Sequence, residues 1–199
     1  MKKLIYISLF IGASWYYWSE PGEVSYGPGV FAPKVPVQTS TDPATSFAFR
    51  DYTLTPLADF ELTAKVLAKR NYTLGREAHL SPTDLALGWG SMSDEQVLES
   101  LEITQSGRWY RWRGISQELP LPREEIETHS ANMHIIPKDD MVEYELSRVA
   151  KGDIVRLSGT LVRADAADGW RWVSSLTRAD TGSGACEVFF VERLVIENL

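Results

Sequence analysis

The 199-residue chain has a single cysteine, Cys186. One thiol cannot close an intramolecular disulfide, and it cannot build a cysteine-rich zinc site. No cysteine follows the apolar N-terminal stretch, so lipid attachment of the bacterial lipoprotein kind has no acceptor. Histidine is scarce too, with three residues. Positive charge is in deficit: 20 Lys and Arg face 27 Asp and Glu, a net charge of −7. Nucleic-acid binding relies on basic patches that displace counterions, so this balance argues against it. No internal repeat and no long run of one charge sign is visible.

What is present reads as a folded protein, with 44% hydrophobic and 24% charged residues. The charge is uneven. Lys2 and Lys3 are the only charges in residues 1–18, so residues 19–199 hold 18 basic against 27 acidic residues, a net −9. Between Leu4 and Trp18 no residue is charged. A basic start before such a run marks a signal peptide or a signal anchor. A spanning helix uses about 20 apolar residues. The run is short of that, but Trp15, Tyr16, Tyr17 and Trp18 resemble an interfacial aromatic belt. The expectation is an uncleaved signal anchor; cleavage after Gly12-Ala13-Ser14 and a buried N-terminal helix are the alternatives. Residues 4–18 would cross the lipid bilayer once. Lys2 and Lys3 would stay inside, placing the rest in the periplasm of a bacterial inner membrane.

Residues 19–44 read as a proline-rich tether. They hold five of the ten prolines, with Gly22, Gly27 and Gly29 interleaved. Such chain favours extended conformations, and Val30, Phe31, Val35 and Val37 would let it lie along the body. Residues 45–199 form the body. From Asp59 the apolar set Phe60, Leu62, Ala64, Val66 and Ala68 alternates with Glu61, Thr63, Lys65 and Lys69, the pattern of a half-buried strand. Ser81-Pro82 with Asp84 reads as a capping box opening a helix that ends at Gly88 and Gly90. Ser93 reads as the cap of a second helix, with Val97, Leu98 and Leu101 as its buried stripe. Arg108–Arg113 reads as a strand, Arg123 to about Thr128 as a helix after Pro122, and 132–136 as a strand. A helix capped by Asp139 or Asp140 and closed by Gly152 should follow. The last third reads as strands: 153–163, 170–175 and 185–196. The final one is apolar on both faces, as a central strand would be, with a helix expected over one of them. The predicted class is α+β: a small curved antiparallel sheet or OB-like barrel with several short helices, plus the N-terminal transmembrane helix. The phrase Gly152 to Gly159 resembles the turn and strand that open such barrels, and Gly159 marks a bend.

Candidate chemistry is thin. Asp180-Thr181-Gly182 is similar to the aspartic-protease triplet, but one copy after a polar stretch fits a hairpin turn better. His129 and His134 lie five apart, which suits neither a shared helix face nor a shared strand face. They would meet only if a helix ended between them. With Asp180 they are the candidate catalytic set of a hydrolase, with or without a metal; the competing role for His129 is to close a helix C-terminus. Arg108-Trp109-Tyr110-Arg111-Trp112-Arg113 and Trp170-Arg171-Trp172 mix cations with aromatics. They suggest a face for a glycan or a protein, with Trp89, Arg108, Trp112 and Arg178 as candidate ligand contacts. Cys186 reads as core rather than nucleophile. No cofactor motif and no metal-ligand motif is present.

Three segments, 80–94 (LSPTDLALGWGSMSD), 131–137 (ANMHIIP) and 172–182 (WVSSLTRADTG), carry a resemblance. Together they look like an uncharacterised family of bacterial membrane-anchored proteins with an extracytoplasmic α+β domain. The resemblance implies location and offers no catalytic residue. The expectation is therefore a membrane-anchored binding or interaction module outside the cytoplasm, with the hydrolase as the alternative.

Overall fold

The alternation that starts at Asp59 belongs to one long strand. A computed structural model describes residues 22–41, 45–177 and 185–199. The expected anchor, together with Arg178 and Asp180, lies outside the described residues. After β1 (Val37–Ser40) and β2 (Phe47–Phe49), the chain enters β3 (Tyr52–Asn71), 20 residues long. Register shifts at Pro56/Ala58 and Val66/Ala68 bend it, and Pro56 sits where a ladder hydrogen bond can be missing. The bend lets one strand pair with two others on opposite sides.

Those partners are β4 (Thr83–Gly88) and β8 (Ile154–Ala166). With β7 (Ser130–Pro137) and β10 (Glu187–Ile196) they form the circuit β3–β4–β7–β10–β8 and back to β3. Every pairing is antiparallel except β7 with β10, which run parallel. The class is thus mixed α+β, dominated by a curved sheet with a few short helices. Gly159 is where β8 and β10 press closest: a Cβ there would sit 2.1 Å from the Phe190 carbonyl oxygen.

Phe60, Leu62, Leu85, Leu87, Met133, Ile135, Leu157, Leu161 and Phe189 fill the interior. Helix α4 (Asp140–Arg148) packs Val142 and Leu146 onto the same cluster; α1 to α3 are described below. Asp139 caps it by accepting from the backbone N–H groups of Met141 and Val142. The final strand is central and buried on both faces, and the expected helix packs against one of them: α4 lies on the inner face, with Val142 and Leu146 in the cluster of Phe189 and Val191, whereas the outer face is covered without a helix among the described residues. Val188 and Phe190 there pack with Phe47, Phe49, Trp170 and Trp172, contributed by β2 and the loop around β9 (Arg171–Val173).

Three expectations change. Thr83 to Gly88 is strand β4, not a helix. Leu85 and Leu87 face the interior, and the helix nearby, α1 (Arg76–Leu80), ends before Ser81. The second helix, α2 (Glu95–Leu98), follows a 3₁₀ turn (Gly90–Ser93) and is capped by Asp94 rather than Ser93. Leu101 opens β5 (Leu101–Ser106), whose partner is β6 (Trp109–Gly114). Third, Lys65 does not face solvent. It is 2% exposed, with Nζ 2.8 Å from Glu95 Oε1 and 5.3 Å from the Tyr26 ring centroid.

That lysine explains the fate of the stretch read as a tether. From Glu23 onward it lies on the curved sheet as a strap. Lys151 pairs with Glu23 at 2.8 Å, and Val24 N–H donates to the Lys151 carbonyl. Tyr26 and Gly27 N–H and the Ser25 hydroxyl donate to the Glu95 carboxylate, Gly29 N–H to Asp94, and Ala32 N–H to Ser93 Oγ. Ala32 is fully buried, and β1 then adds an antiparallel strand beside β3.

Candidate functional site

The outer face of β4 and β7 is polar where it faces the next element. Cross-strand neighbours Asp84 and His134, Ala86 and Asn132, and Gly88 and Ser130 point outward there. The alternation of Ser130, Asn132 and His134 with Ala131, Met133 and Ile135 is the sequence signature of this two-faced strand.

The β5–β6 hairpin lies over that face and bonds two of the outward residues of β7, Ser130 and Asn132. Tyr110 Oη donates to Ser130 Oγ at 3.1 Å, and Gln105 Nε2 donates to Asn132 Oδ1 at 2.6 Å. Burial pushes the Tyr110 phenol up to about 12, with the Ser130 hydrogen bond opposing it. The hairpin turns at Gly107 and Arg108, both with positive φ, 57° and 69°. Two positive φ angles define the type I′ turn that suits strand twist. An arginine pays steric strain there of about 1 kcal/mol.

Arg108 carries its guanidinium into a box made by the main sheet and its loops. Nη1 donates to Asp84 Oδ1 at 2.7 Å and Nη2 to the Ser81 carbonyl at 2.9 Å. The guanidinium carbon stands 3.9 Å from the Tyr72 ring centroid and 5.7 Å from that of Trp172. Asp84 is fully buried and also receives His134, whose Nδ1 lies 2.9 Å from the same Oδ1. A carboxylate only accepts, so Nδ1 carries the proton. The His134 ring packs on Trp172 with centroids 4.6 Å apart. Asp84 Oδ2 makes no hydrogen bond among the described residues. The Tyr72 hydroxyl, raised mainly by burial, also feels that carboxylate and accepts the Arg108 N–H at 3.0 Å.

Beside the hairpin a cleft of about 370 Å³ opens. Its walls are β6, helix α3 (Arg123–Thr128), the start of β7, Thr177, Ala185 and Cys186 between β9 and β10, and Glu187 at the start of β10. Trp109 is 40% exposed at its rim. The Arg123 guanidinium stacks over Trp112 at 4.9 Å and pairs with Glu127 at 3.1 Å. Asn132 Nδ2 reaches the Arg108 carbonyl and lies 3.7 Å from Cys186 Sγ, which joins cleft and box through one side chain.

The residues singled out from sequence separate into groups. Arg108 and His134 meet in the box, around an aspartate read beforehand as a helix cap. Trp112 lines the cleft. Trp89 is 1% exposed inside the main apolar cluster, so it presents no surface to a ligand. His129 closes α3, its Nδ1 3.0 Å from the Glu125 carbonyl oxygen and 3.2 Å from Thr128 Oγ1, whereas His134 points to Asp84. The two histidines thus have different partners. Asp180 and Arg178 lie outside the described residues. Among the described residues no group of three or more His, Cys, Asp and Glu side chains is placed to hold a metal ion, and no helix is long and apolar enough to cross a membrane. Asp84, Tyr72 and Asn132 were missed as site residues; the even spacing of Ser130, Asn132 and His134 was the available signal. Comparison of the chain with protein-family models, with curated proteins and with solved structures found no match.

Proposed function

We propose that this protein is a binding module held outside the cytoplasm at a membrane, and that its cleft takes a segment of a sugar chain. The five-strand circuit, with its parallel β7–β10 pair and a helix between β7 and β8, supports reading the fold as an OB-type barrel. Barrels of that type bind oligosaccharides or oligonucleotides on the face of their second and third strands, between two flanking loops. Here those strands are β4 and β7, and the cleft lies at that edge. The observation that carries the reading is its lining: an exposed indole at the rim, a second indole under an arginine, and amide, hydroxyl and carboxylate groups between them. Flat rings supply stacking surface, and convergent polar groups supply orientation. The excess of negative charge favours a sugar over a nucleic acid.

The test is a titration of tryptophan fluorescence with oligomers of N-acetylhexosamine and of uronic acid. One series should saturate, and Trp109→Ala should weaken it about tenfold with unchanged melting temperature, roughly the loss of one stacking contact. A flat response to both series, or equal binding by the variant, would sink the sugar reading. The hydrolase reading has less support, because His134 is 4% exposed and already engaged by Asp84 and Trp172.

For location, the apolar run supports the anchor. With the strap docked from Glu23, residues 19–22 would be the whole link between a span ending at Trp18 and the barrel. Four residues reach at most about 14 Å. The barrel would then ride at the membrane surface rather than on a long leash. A reporter fused after Leu199 that works only outside the cytoplasm should be active; activity of a cytoplasm-only reporter instead would overturn the topology.

A further inference from the structure

We propose that the box around Arg108 is a receptor site for a guanidinium group, filled here by the protein's own hairpin, and that an arginine of a basic partner protein can take it over. The proposal does not depend on the sugar reading of the cleft.

Every wall of the box comes from the barrel and its loops: Asp84 and the Ser81 carbonyl, His134, Tyr72 and Trp172. Only the occupant comes from the hairpin. The walls are chosen for a planar cation. A ring centroid 3.9 Å from the guanidinium carbon and an acceptor on each of two nitrogens suit arginine; a lysine ammonium offers a point charge and no face to stack.

The resident occupant is a compromised one. Arg108 reaches Asp84 through one nitrogen and one oxygen, leaving buried Asp84 Oδ2 without a hydrogen bond among the described residues. Arginine and carboxylate pair best through two parallel bonds. The resident arginine also holds φ at 69°, a conformation an L side chain adopts at a cost. An arginine on an unconstrained segment carries neither handicap. Leu101, Ile103, Tyr110 and Trp112 hold the body of the hairpin in an apolar cluster, but it is a separate two-stranded sheet with no strand pairing to the rest among the described residues, so its tip can swing Arg108 out of the box without breaking a ladder. The net charge of −9 beyond residue 18 would draw a basic segment in.

The experiment uses the full-length chain in mild detergent and two probes, N-acetyl-arginine amide and N-acetyl-lysine amide. Arg108→Gly empties the box and relaxes the turn. It should bind the arginine probe in the millimolar range, at least about tenfold tighter than the lysine probe, with thermal stability rising as the site fills. Adding Asp84→Asn should abolish this. Wild type should bind the probe at least about tenfold more weakly than Arg108→Gly, because its own arginine competes. A folded Arg108→Gly chain that binds neither probe, or both equally, overturns the proposal. If that variant does not fold, amide exchange of the wild-type hairpin decides. Faster exchange confined to β5 and β6 with the arginine probe and not the lysine probe supports the proposal, and unchanged exchange overturns it.

Discussion

Replacing Asp84 by alanine is expected to cost about 3–5 kcal/mol of folding stability, the range for removing one partner of a buried ion pair. That should lower the melting temperature by roughly 6–20 °C in a chain of this size. The carboxylate is fully buried and serves two donors through one oxygen, Arg108 at 2.7 Å and His134 at 2.9 Å. Without it the guanidinium keeps one carbonyl and two ring faces, and the imidazole N–H loses its acceptor. Removing Arg108 as well should recover part of the loss, because no cation is then left without its counter-charge. The double variant should differ from the sum of the singles by about 1–3 kcal/mol. Denaturant unfolding of Asp84→Ala, Arg108→Ala and the pair measures this. A cost below about 1 kcal/mol for Asp84→Ala, in the range of an exposed ion pair, would show that the box does not hold the hairpin.

The place of Asp84 also shows where local reading fails. Ser81-Pro82-Thr83-Asp84 has the chemistry of a helix start, and nothing within ten residues contradicts it. Its true partners lie 24 and 50 residues away, on the hairpin tip and on β7. Propensity and capping are local signals, and this strand is decided by pairing with β3 and β7. Where the local signal and the packing agree, the sequence reads well. Helix Arg123–Thr128 after Pro122, the Asp139 cap, β6 and the buried final strand all follow from periodicity and caps. Trp89 looked like a ligand contact because indoles often are; its fate depended on a barrel interior no local pattern describes. The cleft was half legible. Arg108 to Arg113 announced an aromatic and cationic strand, but not the faces it would be folded against.

The strap gives the second large expectation, and its sign follows from Glu95. Burial raises this carboxyl, but Lys65, Ser25 and the Tyr26 N–H outweigh that and hold it at about 2, against an ordinary 4.5. A carboxylate whose folded value is depressed stabilises the folded state above its unfolded value. That contribution should be complete above about pH 4.5 and fade as pH falls toward 2, by about 2 kcal/mol in all once screening by solvent at this partly exposed pair is allowed for. Glu95→Gln should therefore lose about that much at neutral pH and nothing near pH 2, flattening the acid limb of the stability curve. Parallel acid limbs in the variant and wild type would show that the strap is held by other groups. The loss should concentrate in residues 23–32, since the strap's hydrogen bonds converge on Glu95, Asp94 and Ser93. A protease that cuts near Tyr26 or Phe31 should then act on Glu95→Gln at neutral pH well before the barrel unfolds. If residues 4–18 anchor the protein as proposed, that release changes reach more than fold. Four linking residues would become some eighteen up to β1, and the span from bilayer to barrel would grow from about 14 Å to as much as about 60 Å. The Lys65–Glu95 pair would then set how far from the membrane the cleft and the arginine box can work.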